Sequence, residues 1–499
     1  MGARASFREI PAAAPPPPAP LPGGAGEARP WRPVAVIFRR EVRRVTGDFR
    51  YPAIAVLLLA VMALAALGAR ARYRGELFEQ RTVEEGYARQ LATLTVGQAV
   101  DLLHPAVKPP WRLALVVDGG QTATPNVYAQ APRALVPPEI RRVHGSNYRL
   151  PGHQPLDWTF ALCVLLPLAA FLLGYDAICG EREEGTLRLL LSYPVAPWKV
   201  LAGKLLALWS CLAAPFLAGA LLSLLLVRAP GGIPLQGTDL ARAGLVALLG
   251  LWVIGLSTLI TLLVSILSRE PSASLSVLAW LWVLGVIVVP AVGGLLAHRL
   301  RPIPGEEETA RRMAAVDRRI AREYAGREGH WRPPVWAAAD GFAWERISAE
   351  AENRRSAGRE AVRRRVLRRK IGQVRLAKAL AWLSPSSLIA DLAERLAGSG
   401  PGRDESFIEQ AWAFRSGLEE RLRALDASDP ESPHILFFSG YVSERPVPPG
   451  ALARFVFHEP PVREGLQAAL PLLALLGAET LALAAASLFF FSRYEVGET

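Results

Sequence analysis

Six apolar runs, each near or above the roughly 20 residues a helix needs to cross a bilayer, constrain this chain more than anything else in it. They are Tyr51 to Gly68, Trp158 to Tyr175, Val200 to Val227, Leu240 to Leu267, Ser274 to Leu296 and Leu466 to Phe491. The arrangement is one, then four in quick succession, then one, and an even number of crossings returns both termini to the same side. The predicted fold class is therefore mainly α: a polytopic membrane protein with about six transmembrane helices. Composition agrees, since 51% of the 499 residues are hydrophobic although 20% are charged, a pairing that spans plus polar segments explain together.

The segments between the runs set the expected organisation. Residues 1–30 are a Pro-rich tail that cannot bury a core and is expected to be disordered. Residues 31–68 read as a short basic lead-in helix, with Arg39, Arg40, Arg43 and Arg44, followed by the first span. Residues 69–157 form an extracytoplasmic segment with a helix near Gly75 to Leu103 and a strand over Leu113 to Val117, either a small domain or half of a larger one. Its His104, His144 and His153 lack metal-ligand spacing and read as surface residues. Residues 158–296 are the four-span core, in which Pro167, Pro215 and Pro290 are expected to kink spans against protein. Residues 297–465 read as a mostly helical extracytoplasmic domain, with apolar stripes at Met313–Val316–Ile320–Tyr324, Leu367–Ile371–Val374–Ala381, Leu388–Leu392–Leu396 and Phe407 to Leu425. Residues 466–499 are the last span and a short cytoplasmic tail.

One charged stretch, Asp176 to Lys204, is caught between two spans and must form a short loop at a membrane face. Glu181, Glu183 and Glu184 suit a helix N-terminal turn, Leu187, Leu190 and Leu191 form an apolar stripe, and Pro194 and Pro197 end the helix. Periodicity alone reads equally as an amphipathic helix and as an ordinary solvated loop.

The residues Asp176, Glu181-Arg182-Glu183, Gly185-Thr186-Leu187, Pro194 and Gly203-Lys204 together resemble the cytoplasmic signature of ABC-2-type transporter permeases. Leu383-Ser384-Pro385, Ala397 to Gly400, and the stretches at Arg445 and Arg454 resemble the subgroup with long extracytoplasmic insertions; the Pro-rich tail lies outside that pattern. The resemblance implies the permease subunit of an ATP-driven exporter, in a bacterial-type plasma (inner) membrane, with cytoplasmic termini. It also implies a dimer with a second or related permease copy and separate ABC ATPase subunits. Glu181, Arg182, Glu183, Gly185, Thr186 and Leu187 are then the expected ATPase contact, with charge exposed at the helix start, the leucines gripping a partner or neighbouring spans, and Gly185 allowing close approach.

Other signals bound the function. The positive-inside count over short segments favours a cytoplasmic N terminus, although Arg70, Arg72 and Arg74 follow the first span directly. No phosphate-binding Walker A loop is present, so this chain is expected to bind no cofactor and ATP is assigned to the partner subunit. Gly-x-Ser-x-Gly, His-Glu-x-x-His and Cys-x-x-Cys are also missing, which argues against an enzyme, and Cys163, Cys179 and Cys211 frame neither a disulfide nor a metal site. The net charge of +12 invites a polyanion, yet the basic run Arg354 to Lys370 has no interleaved aromatics, so it reads as a solvated helix face and no nucleic acid is expected. The apolar spans suit membrane lipid. Glu479, the acidic residue well inside a span, is a candidate for function or for an interhelical hydrogen bond by a neutral Glu. The rival reading is a non-transporting membrane scaffold or sensor that uses its extracytoplasmic domain to bind partners.

Overall fold

The computed structural model describes residues 31–121, 124–132, 137–141, 156–325, 342–435 and 439–493. The Pro-rich tail, His144 and His153 lie outside them. Helix α1 (Arg32–Gly47) has Pro33 in its first turn and buries a stripe of Val34, Ile37, Glu41 and Val45. Helix α2 (Arg50–Leu91) is a single rod about 60 Å long. It carries the first apolar run and continues without a break through the segment where a separate helix was expected, because no proline or cap interrupts it.

After α3 (Val96–Asp101), strands β1 (His104–Val107), β2 (Val127–Gln130) and β3 (Glu139–Arg141) form an antiparallel sheet in that order, with His104 opposite Gln130 and Val127 opposite Arg141. The run Leu113 to Val117 is not a strand. It is a series of turns buried in the main core, and its partner is a span: Trp158 donates its backbone N–H to the Leu115 carbonyl at 3.0 Å. Two prolines, Pro109 and Pro110, precede it and cannot donate to a sheet. His104 is buried rather than exposed, held between the Tyr87 hydroxyl and the Ala99 carbonyl, and burial pushes its pKa down to about 4.

The second span is built from α4 (Trp158–Phe160), a π-helical turn at Ala161–Leu165 and α5 (Leu166–Gly174). The signature segment follows as α6 (Cys179–Glu183) and α7 (Thr186–Ser192), then α8 (Pro197–Arg228) and α9 (Gly237–Leu267). Helices α10 (Pro271–Val283) and α11 (Val289–Leu300) flank a second π turn at Leu284–Val288. Next come α12 (Glu306–Tyr324), α13 (Ala343–Ala381), α14 (Pro385–Ala397), α15 (Pro401–Ala427) and α16 (Val462–Ser492). Among the described residues, six helical stretches are long and apolar enough to cross a membrane: α2, α4 to α6, α8, α9, α10 with α11, and α16. The chain is thus a mainly α, multi-pass membrane protein.

Proline explains where two spans loosen. Pro167 and Pro290 each lack the N–H that would bond four residues back, at Cys163 and Val286, and a π turn covers each of those positions. Pro215 sits inside α8 without such a turn. A carbonyl in each π turn accepts from outside its own helix: Trp282 donates to Val164, while the Ser384 and Ser386 hydroxyls both donate to Gly285, at 2.6 and 2.8 Å. Those serines open α14, so the Leu-Ser-Pro helix packs among α9, α16 and both π turns, with Leu388, Ile389, Leu392 and Leu396 buried.

At the end of the bundle away from the signature segment, the described parts of residues 69–157 and 297–465 fold together. Ala106 and Tyr128 of the sheet share a core with Phe407 and Ala411 of α15; Val96, Ala99 and Val100 of α3 share another with Leu418, Leu422, Val442 and Val447. Arg403 fastens them. Its buried guanidinium donates to Glu459, to the Gln121 side chain and to the Pro109 carbonyl, between the faces of Trp111 and Phe457.

Candidate functional site

The signature segment is assembled on the ends of three spans. Ser265 of α9 accepts the backbone N–H groups of Ile178 and Cys179 at 3.0 and 3.1 Å, satisfying amides at the start of α6. Arg182 answers from the other side, donating to the Ile266 and Ser268 carbonyls at the C-terminal end of α9. Ser274 of α10 donates to the Tyr175 carbonyl at 2.8 Å. These contacts bolt α6 to α9, and the end of α5 just before it to α10, through backbone groups.

A buried ion cluster ties the same segment to α1 and α8. The Lys204 ammonium donates to Glu41 at 2.7 Å and to the Ala177 carbonyl at 2.9 Å, and pairs with Glu181 at 2.9 Å. All three side chains are buried. Gly203 permits the approach: a Cβ there would lie 2.7 Å from Ile37, so α1 and α8 touch at this point and bring Glu41 to Lys204. Arg44 extends the cluster, bonding Glu41 at 2.9 Å and Asp176 at 3.3 Å, and Arg50 reaches Asp176 at 3.5 Å. Burial acting alone would raise the Glu41 carboxyl, but the charges and hydrogen bonds of Lys204 and Arg44 outweigh it and hold Glu41 below the usual carboxylate range.

The expected single helix is divided. Gly185 has φ of 74° and joins α6 to α7 through a left-handed residue, which is what the position demands of glycine; space for a close approach is not, since a Cβ there meets nothing. Of the expected contact residues, Glu183 and Gly185 are exposed, whereas Glu181 is buried against Lys204, Arg182 is half-buried as the cap of α9, and Leu187 is fully buried. Thr186 donates to the Glu181 carbonyl at 3.3 Å. The charge at the helix start is thus split, Glu181 inward and Glu183 with Glu184 outward. Leu189 and Tyr193 of the same segment are exposed as well, as are Trp198 and Trp31, which pack edge to face at 5.7 Å.

Glu41 and Lys204 were not among the candidate site residues. A sequence signal for Glu41 exists, because an acid occupies one position of the Val34–Ile37–Val45 apolar stripe. Glu479 stands apart from this cluster, half-buried on α16, and its Oε2 has no hydrogen-bond partner among the described residues. The interhelical bond at that level is made by its neighbour instead: Trp252 donates to the Thr480 hydroxyl at 3.0 Å.

With this geometry in view, residues 35–496 match the family described as ABC-2 family transporter protein. The chain belongs to the ABC-2 family of transporter proteins. It is also similar to proteins named "Probable ABC transporter permease protein NosY": 60% identical over 42 residues to that of Pseudomonas aeruginosa, and 60% over 40 residues to that of Stutzerimonas stutzeri. Each match covers 8% of this chain, and 15% and 14% of those relatives respectively, so the chain spans only about one seventh of the curated relatives it matches. The ABC-2 assignment rests on the match across nearly the whole chain, and it agrees with the six-span bundle.

Proposed function

We propose that this ABC-2 protein is the permease subunit of an ATP-driven exporter, and that its ATPase subunit docks on the signature segment. The observation that carries the reading is the two-sidedness of α6 and α7. Their outer side offers Glu183, Glu184, Leu189 and Tyr193 to a partner, while their inner side is held by the Lys204 cluster and the α9 cap. A coupling element needs differential contact with a partner in two states and a firm connection to what must move. Here a displacement of α6 is passed to α8 through Lys204 and to α1 through Glu41, with ATP bound and hydrolysed on the partner. In this reading the segment and both termini are cytoplasmic, the membrane is a bacterial-type plasma membrane, and the folded body at the other end is extracytoplasmic. The exposed apolar face of α10, the π turn after it and α11, including Trp280, Ile287 and Leu295, supports contact with lipid and with a second permease copy. Glu479 is proposed as an intramembrane carboxyl serving transport, supported by its unpartnered oxygen.

The test is affinity purification of the tagged chain from its native membranes, reading ATP hydrolysis in the eluate. Wild type is expected to bring ATPase activity with it, and Glu183→Lys combined with Leu189→Glu to lose it while still inserting. Insertion is read by cysteine labelling: Ser416→Cys, exposed on α15, should react with an impermeant reagent from outside, and Ser192→Cys only after permeabilisation. Full ATPase recovery with the double variant would rule out docking on this segment. No activity with wild type would favour the scaffold or sensor role.

A further inference from the structure

A cavity of about 520 Å³ opens in the large body at the end opposite the signature segment, within the roughly 300–1,000 Å³ typical of ligand pockets. Leu367, Ile371 and Val374 of α13 form one wall, and Tyr128 of β2 with Phe407 and Ile408 of α15 form the other. The α13 residues repeat at i, i+4 and i+7, the spacing of a stripe that ordinarily packs against protein. Here it does not, for Val374 is 43% exposed and Leu367 and Ile371 are only half-buried.

Charge is distributed along this cavity unevenly. At one end Lys378 is paired with Asp391 and Glu394, and Asp404 with Lys108, so the ions there are neutralised. Two helical turns away, about 12 Å along α13, Lys370 lines the cavity, is exposed, and has no ion-pair partner among the described residues. Arg365, Arg368 and Arg369 stand exposed beside it and add to the positive potential. An apolar trough closed by compensated ions at one end and carrying a free cation at the other matches a molecule with one apolar chain and one anionic head.

We propose that this cavity binds a single-chain anionic amphiphile of the fatty-acid type, its chain lying between the α13 stripe and Tyr128, Phe407 and Ile408, and its head at Lys370. A purely neutral hydrophobe would have no use for the free lysine, and a short polar ligand would leave the apolar walls unmatched. The site is separate from the segment assigned to the ATPase, and its test needs no ATPase, so either proposal can fail without the other.

The experiment uses the full-length chain in lipid nanodiscs with a photoreactive, diazirine-bearing palmitate, competed by unlabelled palmitate or by palmityl alcohol, and the crosslinks mapped by peptide mass spectrometry. Crosslinks are expected on α13 and α15 around Ile371, Val374 and Phe407. Palmitate should compete about ten-fold better than the alcohol, as one charge-assisted contact provides. Lys370→Glu should remove that preference while leaving the alcohol's competition intact, and Ile371→Trp should abolish crosslinking at the site. Should Ile371→Trp fail to fold, the exposed Lys370→Glu decides alone. Equal competition by acid and alcohol in wild type would overturn the anionic-head assignment. Crosslinks confined to the lipid-exposed faces of α10, α11 and α16 would overturn the site.

Discussion

Two regions at opposite ends of the molecule, the signature segment and the basic face of α13, use the same residue types in opposite ways. At the signature end, Lys204, Glu41 and Glu181 are buried and come from three separate elements, α8, α1 and α6. At the other end, the basic face of α13 is solvated: Arg354 pairs with Glu323 of α12 and Glu350 of its own helix, and Arg359 with Asp317, between side chains that are partly exposed. Arg364 pairs with Glu360 and lies 4.2 Å over the ring of Trp412. A buried ion with partners on separate helices registers where those helices stand. A surface ladder mainly keeps a long polar hairpin soluble and in register.

The contrast is most open to attack at Lys204. Lys204→Ala takes the shared cation from two buried carboxylates, leaving Glu41 with Arg44 alone and Glu181 with only Arg40 at 4.0 Å, and breaking a buried pair in this way costs about 3–5 kcal/mol. The expected result is a thermal midpoint in mild detergent far below wild type, partly restored by adding Glu41→Gln, which removes one of the stranded charges. The pH dependence has a definite sign. Glu41 is held below its ordinary range, so its contribution is complete above that range and is lost as pH falls through the lowered value. Glu41→Gln should therefore flatten the acid side of the stability profile. If Lys204→Ala were no more destabilising than removal of a surface arginine, the contrast between the two ends would collapse.

A smaller effect is expected midway along the bundle. Ser384 and Ser386 both donate to the Gly285 carbonyl that the π turn at Leu284–Val288 leaves open. Replacing both with alanine leaves that carbonyl without its donors, at a cost of about 1–3 kcal/mol, and should loosen α14 from the spans. Hydrogen exchange of the α14 amides is the measurement; unchanged protection would show that apolar packing of Leu388, Leu392 and Leu396 seats the helix unaided.

How much of this was legible depends on the range of the interaction. The spans were readable because each is a local property of some twenty residues, and so were the stripes of α12, α14 and α15, whereas on α13 Leu367, Ile371 and Val374 are half-buried or exposed and only Ala381 of that stripe is buried. The strand expected over Leu113 to Val117 failed because burial against Trp158 and Leu162, rather than pairing, accounts for those apolar residues. The signature segment was found by its residues, but the division of roles within it was not. Glu181 and Glu183 are two positions apart, and only the placement of Lys204 decides that one turns inward and the other out. Likewise, nothing local marks α14 as a helix that packs among spans, because its serines are matched to a carbonyl about a hundred residues away.

The smallest effect sharpens the comparison from the other side. Arg354→Ala removes a pair in which the Arg354 and Glu323 side chains are 48% and 45% exposed, together with a cation placed 5.4 Å from the Tyr324 ring. Water solvates both ions once they part, so no charge is stranded, and exposed pairs of this kind contribute about 0–1 kcal/mol. Tyr324 itself is fully buried against Ile320 and Ala351, and that apolar contact survives the substitution. Arg354→Ala should accordingly lower the thermal midpoint only slightly, with the difference from wild type shrinking further as salt is raised. A loss comparable to that of Lys204→Ala would mean that the α12–α13 hairpin is held by its ions rather than by the apolar seam, and the division between a registering cluster and a solubilising ladder would have to be abandoned.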